Sequence, residues 1–501
     1  MPTRSLVASD ARGGFEISYA KLPEAFHARV TPTSVRDPRL VKTNVGLARD
    51  LGLSPDVLAS PTGVAVLAGN RAFEGIDPIA TAYAGHQFGN WVPSLGDGRA
   101  IVIGEVRDRE GKQRELQLKG AGPTPFSRGG DGRAAMGPVL REYVLSEAMH
   151  ALGIPTTRAL AMVTTGEPVL RERAEPGAIL TRVSPGFVRV GSFEYFHRRG
   201  MTEHVGALVD HVIGRHYPEA AEAREPVRDL LDRVVESQAE LIARWLLVGF
   251  IHGVMNTDNM SILGETIDYG PCAFLDDYEP DKVFSSIDRQ GRYAYSQQPR
   301  IGLWNLTRFA ETLIPLLADE EERAVDSARE ALERYAPLFD RAYQEGLRRK
   351  IGLLSSSHSS RELASDLLEA MAKNRADFTL TFRRLSELRV DEPEGDREVR
   401  KLFDDPAAFD AWARRWRARL REEGRDDQTR REAMRATNPL FIPRNHRVQQ
   451  AIDALVNEQD SGPLEDLVQV TSRPYEEDPE RAAYAAAPEP HEVVQRTFCG
   501  T

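Results

Sequence analysis

One stretch constrains this chain more than any other: His252-Gly253-Val254-Met255-Asn256-Thr257-Asp258-Asn259, with Ile267-Asp268-Tyr269-Gly270 shortly after it. Asn259 offers an amide oxygen and Asp268 a carboxylate. Hard oxygens of this kind suit Mg²⁺ that is shared with substrate phosphates. A cation so placed neutralises charge on a phosphate chain and on a leaving group. Two successive turns must then meet at one point of a cleft. Asp258, beside Asn259, is the nearest carboxylate able to accept a proton, and loop hydrogen bonding or capping is its other reading.

The 501 residues suffice for two or three lobes, each with a core of its own. Apolar residues make up 41% and charged residues 28%, as in ordinary globular proteins. The net charge of −11 sets the surface against nucleic acid and anionic membrane, so neither is expected as a partner. The basic run Arg414-Arg415-Trp416-Arg417-Ala418-Arg419 reads as a solvated helix face before it reads as a nucleic-acid patch. The most apolar run, residues 241–251, is short and contains Arg244, which argues against a membrane span. The first six residues hold no apolar signal core, so a cytoplasmic protein is expected. The only two cysteines, Cys272 and Cys499, leave no disulfide framework and no Cys-based zinc site. Neither a His-Glu-x-x-His pattern, a Walker A loop nor a dinucleotide glycine fingerprint occurs.

Along the chain, residues 99–106 read as a strand, 108–111 as a turn and 114–119 as the return strand. Leu116 and Leu118 then share one face of that strand, Gln117 and Lys119 the other. A glycine-dense loop follows, and Pro138 opens a helix running to Leu152. Residues 159–163 and 178–183 are further strands. From about 200 the pattern is helical, with a long, largely buried helix over 226–248 leading into the His252 loop. Helices are also expected over 303–317, 320–351, 360–372 and 406–422.

Several segments qualify for a nucleotide site. Gly96-Asp97-Gly98-Arg99 permits a tight turn close to phosphate or ribose, although a simple hairpin turn has the same look. Lys119, on the polar strand face, suits phosphate contact if a helix glutamate holds it. Glu142 is the first choice and Glu147 the second. The loop 126–133, with Asp131 and Gly132, either folds over an anion or is a flexible exposed loop. Arg182 and Arg189 sit in apolar surroundings and need an anion, either phosphate or an internal carboxylate.

Hairpin, lysine strand, helix and strands follow the order of a protein-kinase small lobe, and the His252 and Asp268 turns resemble the catalytic and metal turns of kinases. Val254, however, occupies the place of the kinase base, and valine takes no proton. The expected fold is therefore α+β and bilobal, protein-kinase-like. It has a small β-rich N-lobe, a large helical C-lobe and a C-terminal extension packing on that C-lobe. The boundaries are 1–80 for an N-terminal extension on the small lobe, 81–183 for the N-lobe, 184–437 for the C-lobe and 438–501 for the extension ending near Cys499.

Nearly the whole chain resembles the selenoprotein O family, also called SelO or YdiU. The likeness rests on Tyr83-Ala84-Gly85-His86-Gln87-Phe88-Gly89, Leu95-Gly96-Asp97-Gly98-Arg99, Gln117-Leu118-Lys119-Gly120-Ala121-Gly122, Arg141-Glu142-Tyr143, the 252–259 loop and Ile267-Asp268-Tyr269-Gly270-Pro271. The resemblance implies a protein adenylyltransferase that binds ATP in a flipped orientation and moves AMP to protein hydroxyls. It implies ATP contacts from Gly96, Gly98, Arg99, Lys119, Asp131, Gly132, Arg182, Arg189 and Asp268. It also implies Asp258 as proton acceptor and Asn259 with Asp268 as ligands of Mg²⁺, with Mn²⁺ as an alternative. The expected partners are ATP and hydroxyl-bearing proteins, and the expected state is a monomer. Some family members carry a Cys-x-x-selenocysteine pair near the C-terminus. Here Cys499 fills the second position and Arg496 the first, so the local pair is absent. A Cys272–Cys499 disulfide across the cleft is one expectation, and two unconnected thiols the other. Rival functions are a kinase using Asp258 as base, a nucleotide-sensing pseudokinase scaffold, and transfer of another nucleotide such as UMP.

Overall fold

The structure is a computed structural model and describes residues 16–498. It is a mixed α+β fold: an antiparallel sheet region comes first and a largely helical part follows. The strands are β1 (His27–Arg29), β2 (Arg39–Thr43), β3 (Ile79–Thr81), β4 (Gly85–Gln87), β5 (Asn90–Val92), β6 (Ala100–Arg107), β7 (Gln113–Lys119), β8 (Ala134–Ala135), β9 (Arg158–Leu170), β10 (Ala174–Ser184), β11 (Phe250–Ile251) and β12 (Ala273–Phe274). Eight of them form one sheet in the order β1-β3-β6-β7-β10-β9-β2, with β8 attached to β10. The first 80 residues thus supply two strands of this sheet, β1 against β3 and β2 against β9.

Register decides what the sheet presents on each face. Gln117 lies opposite Arg182 and Lys119 opposite Leu180, while Ala100 and Val102 of β6 face Lys119 and Gln117. Residues directly opposite in antiparallel strands point to the same side. One face therefore carries Val102, Gln117, Lys119, Leu180 and Arg182. The other carries Ile101, Leu118 and Val183. The apolar members of the two faces enter two different cores. Val102 and Leu180 join the large core shared with the helical part. Ile101, Leu118 and Val183 pack under the short helices Val45–Asp50 and Pro61–Leu67.

The helix Met136–Ala151 crosses the first face. Both Arg141 and Glu142 are buried on it, and Glu142 is offset by the cations opposite, Lys119 and Arg182. The helix Pro226–Val248 has the bounds its pattern predicts and buries a broad apolar face that includes Leu230, Val234, Ile242 and Trp245. Gly249 ends it in the left-handed region, as helix C-termini favour. The chain then enters β11 and the His252 loop.

Two sequence expectations change. The single helix expected over 320–351 is two, Glu321–Glu333 and Tyr335–Lys350. Pro337 lacks an N–H and its ring crowds the carbonyl four residues back, so the break falls just ahead of it. The strands expected at 159–163 and 178–183 extend into the much longer hairpin β9–β10. Gly166, Pro168 and Pro176 disguised that extension, since all three weaken a strand reading.

The C-terminal section packs on more than the helical part. Helices Asn445–Asp453 and Gly462–Thr471 also lie against Met136–Ala151. Tyr475 OH donates to Leu152 O at 3.2 Å, and Lys42 pairs with Glu465. On the other side Arg444 is fully buried and pairs with Asp276 at 2.9 Å and Asp377 at 2.7 Å. No helix among the described residues is long and apolar enough to cross a membrane.

Candidate active site

Four charged side chains from four separate segments meet at the sheet's first face. Lys119 ends β7, Glu142 comes from the crossing helix, Arg182 from β10 and Asp268 from the turn after the His252 loop. Lys119 Nζ is 2.5 Å from Glu142 Oε2 and 3.1 Å from Asp268 Oδ1. Arg182 donates through Nε to Glu142 Oε1, and its Nη2 lies 3.1 Å from Asp268 Oδ1. Lys119, Glu142 and Arg182 are 5%, 1% and 3% exposed, so water does little to screen them. Glu147, the second choice for Lys119, instead binds Arg158 and Asn44. Of the two anions considered for Arg182, the structure supplies internal carboxylates.

Protonation follows from this arrangement. Burial works to raise Glu142, but Arg182 and Lys119 outweigh it and hold the carboxyl below its ordinary range. Burial likewise works to raise Asp268, yet Lys119, Arg182, Arg99 and Arg189 keep it well below the usual value. Both are carboxylates at neutral pH. Asp268 has φ of 66°, in the left-handed region uncommon for residues other than glycine. Conformations of that kind persist where the surroundings over-determine them, and active sites are the usual place.

The His252 loop is tied to this turn. His252 Nε2 donates to Ile267 O at 2.9 Å, and burial lowers the ring's pKa, so it stays neutral. Asn259 Nδ2 donates to Val254 O at 3.1 Å, which turns the amide oxygen Oδ1 away from that carbonyl. An amide oxygen and a carboxylate held ionised are a donor set that fits Mg²⁺, which takes its remaining ligands from phosphate and water. Among the described residues no group of three His, Cys, Asp or Glu side chains gathers to hold a metal without such help.

Asp258 is buried, and its Oδ1 has no hydrogen-bond partner. Burial pushes its carboxyl up to about 6, against the downward pull of Arg189 and of Gln87. Arg189 Nη1 donates to Asp258 O at 2.8 Å, its Nη2 lies 3.7 Å from Asp97 Oδ1, and its guanidinium stands 4.5 Å over the Tyr83 ring. Val254 is also buried and offers no polar atom at the neighbouring place.

The glycine segments lie apart from this cluster in the chain and close over the same face. Gly96 has φ of 70°, and a Cβ there would sit 2.3 Å from Phe126 Cγ. A Cβ on Gly98 would sit 2.9 Å from Phe126 O. Thr124 Oγ1 donates to Asp97 O at 2.7 Å and Ser127 Oγ donates to Gly98 O, so the 126–133 loop is docked on the Gly96–Arg99 turn. Gly132 also has positive φ, and a Cβ on it would strike Gly122. The stretch from Arg128 to Asp131 is exposed. Arg171 at the hairpin tip holds Asp131 with bonds of 2.8 and 3.2 Å and lowers its pKa.

Sequence reasoning assigned no role to the β4–β5 hairpin, although its Tyr83–Gly89 segment was noted. The structure gives it one. Gln87 Nε2 donates to Asp258 Oδ2 at 3.2 Å, and Phe88 N donates to Asn256 Oδ1 at 3.0 Å. His86 N donates to Thr257 Oγ1 at 2.7 Å, while its Nδ1 lies 2.6 Å from Glu194 Oε1. Thr257 donates to the other oxygen of Glu194. The hairpin thus grips the loop from Asn256 to Asp258. A Cβ on Gly85 would fall 2.7 Å from Asp258 Oδ1, so glycine leaves that oxygen its space.

Cys272 is buried, and burial raises its thiol to about 12. Cys499 lies outside the described residues. The tail just before it is anchored, since Thr497 Oγ1 donates to Pro271 O and Thr497 N to Phe284 O at 2.8 Å.

Comparisons with known proteins fit this picture. The sequence model of a family described as "Protein adenylyltransferase SelO" matches residues 12–472. A protein of Methylorubrum populi, named protein nucleotidyltransferase YdiU, is 61% identical over 492 residues, covering 97% of this chain and 99% of the relative. One of the same name from Rhodopseudomonas palustris strain BisB18 is 60% identical over 487 residues, again with 97% and 99% covered. Fold, site and relatives define the class as a protein nucleotidyltransferase. The chain belongs to the SelO/YdiU family of protein adenylyltransferases.

Proposed function

We propose that the chain transfers AMP from ATP to Ser, Thr or Tyr hydroxyls of other proteins, on a bilobal kinase-like scaffold. The sheet region to about residue 183 acts as the small lobe and the helical part to about 437 as the large one. Residues 1–80 and 438–501 act as extensions that brace them. The observation that carries this reading is the buried Asp258, with one oxygen unpartnered, beside a Val254 that has no means of accepting a proton.

The family resemblance and the clustering of these side chains support the following roles. Lys119 and Arg182, with Arg99, Arg189 and the amides of the Gly96–Gly98 and Asp131–Gly132 segments, bind the triphosphate. Glu142 keeps Lys119 and Arg182 in place. Asn259 and Asp268 would hold Mg²⁺, or Mn²⁺ as the alternative, which would supply positive charge to offset that of the phosphate chain. Asp258 takes the proton of the acceptor hydroxyl, a new oxygen–phosphorus bond forms at the α-phosphorus, and the bond from that phosphorus to the bridging oxygen breaks. In a heat-inactivated lysate supplied with the chain, ATP labelled at the α-phosphate is expected to label protein, and ATP labelled at the γ-phosphate is not. The reverse result would establish a kinase.

The pH dependence has a definite sign. A base must be ionised to act, and Asp258 is raised to about 6. The transfer rate is therefore expected to fall as pH drops through about 6 and to level off above it. Gln87→Leu removes a hydrogen bond that favours the carboxylate, so it moves this acid limb to higher pH. An unshifted limb in that variant would separate Asp258 from the step. A Cys272–Cys499 disulfide is part of the same proposal, supported by the tail's anchorage beside Cys272. Non-reducing peptide mass spectrometry of the oxidised protein would reject it by showing both thiols free.

A further inference from the structure

Three arginines, each lying over an aromatic ring, adjoin the Asp258 loop. The β4–β5 hairpin that holds Asp258 through Gln87 continues into Gly89 and Trp91. His86 packs against Trp91 on one side and Trp304 on the other, with ring centroids 5.1 and 5.3 Å away. Both tryptophans are half-buried, so each leaves part of its ring open to solvent. Guanidinium groups surround them. Arg198 stands 5.5 Å over Trp91, and Arg292 stands 4.7 Å over Trp304. Arg292 also approaches Gly89, 3.5 Å from where a Cβ would sit. Arg199 caps the Tyr195 ring at 3.6 Å and donates to Pro93 O at 2.7 Å.

Among the described residues none of Arg198, Arg199 and Arg292 makes an ion pair with a carboxylate. The nearby anions are already engaged. Glu311 pairs with Arg308, which lies on another side of Trp304. Asp288 is buried and accepts the backbone N–H groups of Arg292 and Tyr293 at 3.0 and 2.8 Å. Arg198 and Arg292 over the two half-open indoles, with Arg199 over the neighbouring Tyr195, form a local reversal of the surface field on a chain of net charge −11. Tryptophan and arginine are also the residues that carry most binding energy at protein interfaces.

We infer that this patch docks acidic segments of the acceptor protein and so selects hydroxyls flanked by Asp or Glu. The inference rests on the proposed transfer reaction for its purpose, though not for its test. Aspartate or glutamate beside the acceptor meets Arg198, Arg199 and Arg292, the chain flanking them lies along Trp91 and Trp304, and the hairpin delivers the hydroxyl toward Asp258. Complementary charge of this kind sets specificity and on-rate more than raw affinity.

The test is binding without nucleotide or metal. A fluorescein-labelled peptide with one serine between short runs of glutamate is titrated by anisotropy against the full chain, beside the same peptide with lysine for glutamate. The glutamate peptide is expected to bind and to weaken as salt rises, and the lysine peptide is not expected to bind. Arg198→Glu with Arg199→Glu, both exposed positions, is expected to weaken glutamate-peptide binding about tenfold or more without changing the melting temperature. Equal binding of the two peptides, an unchanged Kd in the double variant, or no binding of the glutamate peptide overturns the inference. Charge-selective binding by a chain that transfers no AMP from α-labelled ATP to any protein in the separate labelling experiment would instead remove the proposed reaction and leave the docking surface standing.

Discussion

Glu142→Ala is expected to destabilise the protein by about 3–5 kcal/mol, the cost of removing one partner from a buried ion pair. Glu142 takes Lys119 on one oxygen and Arg182 on the other, and none of the three has more than slight contact with water. Without it, two buried cations share the single oxygen of Asp268 that both already touch. The loss reaches activity too, because both cations would then pull Asp268 toward the sheet. Chemical denaturation of wild type and variant would register the change as a lower midpoint with an unchanged slope. An unmoved midpoint would mean that the cluster contributes nothing net and that Glu142 is there for another reason.

Asp268→Asn is expected to cut AMP transfer by about a thousandfold or more, which corresponds to roughly 4 kcal/mol of lost transition-state stabilisation. Asparagine is the informative replacement. It keeps nearly the same shape and tolerates the left-handed backbone that Asp268 adopts at φ of 66°, where alanine would add strain. The fold should therefore survive, because Lys119 and Arg182 keep Glu142. Transfer from α-labelled ATP, measured beside a thermal unfolding curve, separates chemistry from folding. A variant within tenfold of wild type would show that this carboxylate is not part of the reacting centre.

Much of this site could be read from residue order because strand and helix periods are short-range. Lys119 and Gln117 alternate with Leu116 and Leu118, so the polar face of β7 was visible without coordinates. The helix Pro226–Val248 declared both its ends, a proline in the first turn and a glycine just past the last. Whether Arg182 meets phosphate or carboxylate was not legible, since its neighbours Glu142 and Asp268 are far away in sequence and only the packing of a helix and a turn onto the sheet joins them. The hairpin holding Asp258 was hidden for the same reason. Its hydrogen bonds to Thr257 and Asp258 span 171 residues, and a segment of glycine, histidine and glutamine shows no periodicity that announces a clamp. The break at Arg334 was legible in principle from Pro337, and was outweighed by the continuous helical pattern on either side.

The helix that bears Glu142 is walled on its outer side by Asn445–Asp453 and Gly462–Thr471. Those walls leave the ribosome after every residue of the cleft. A nascent polypeptide can already own every residue of the catalytic cleft while lacking the buttress that holds one of them in place. Competence would then arrive only once these helices have emerged, which keeps a half-made enzyme from modifying the proteins around it.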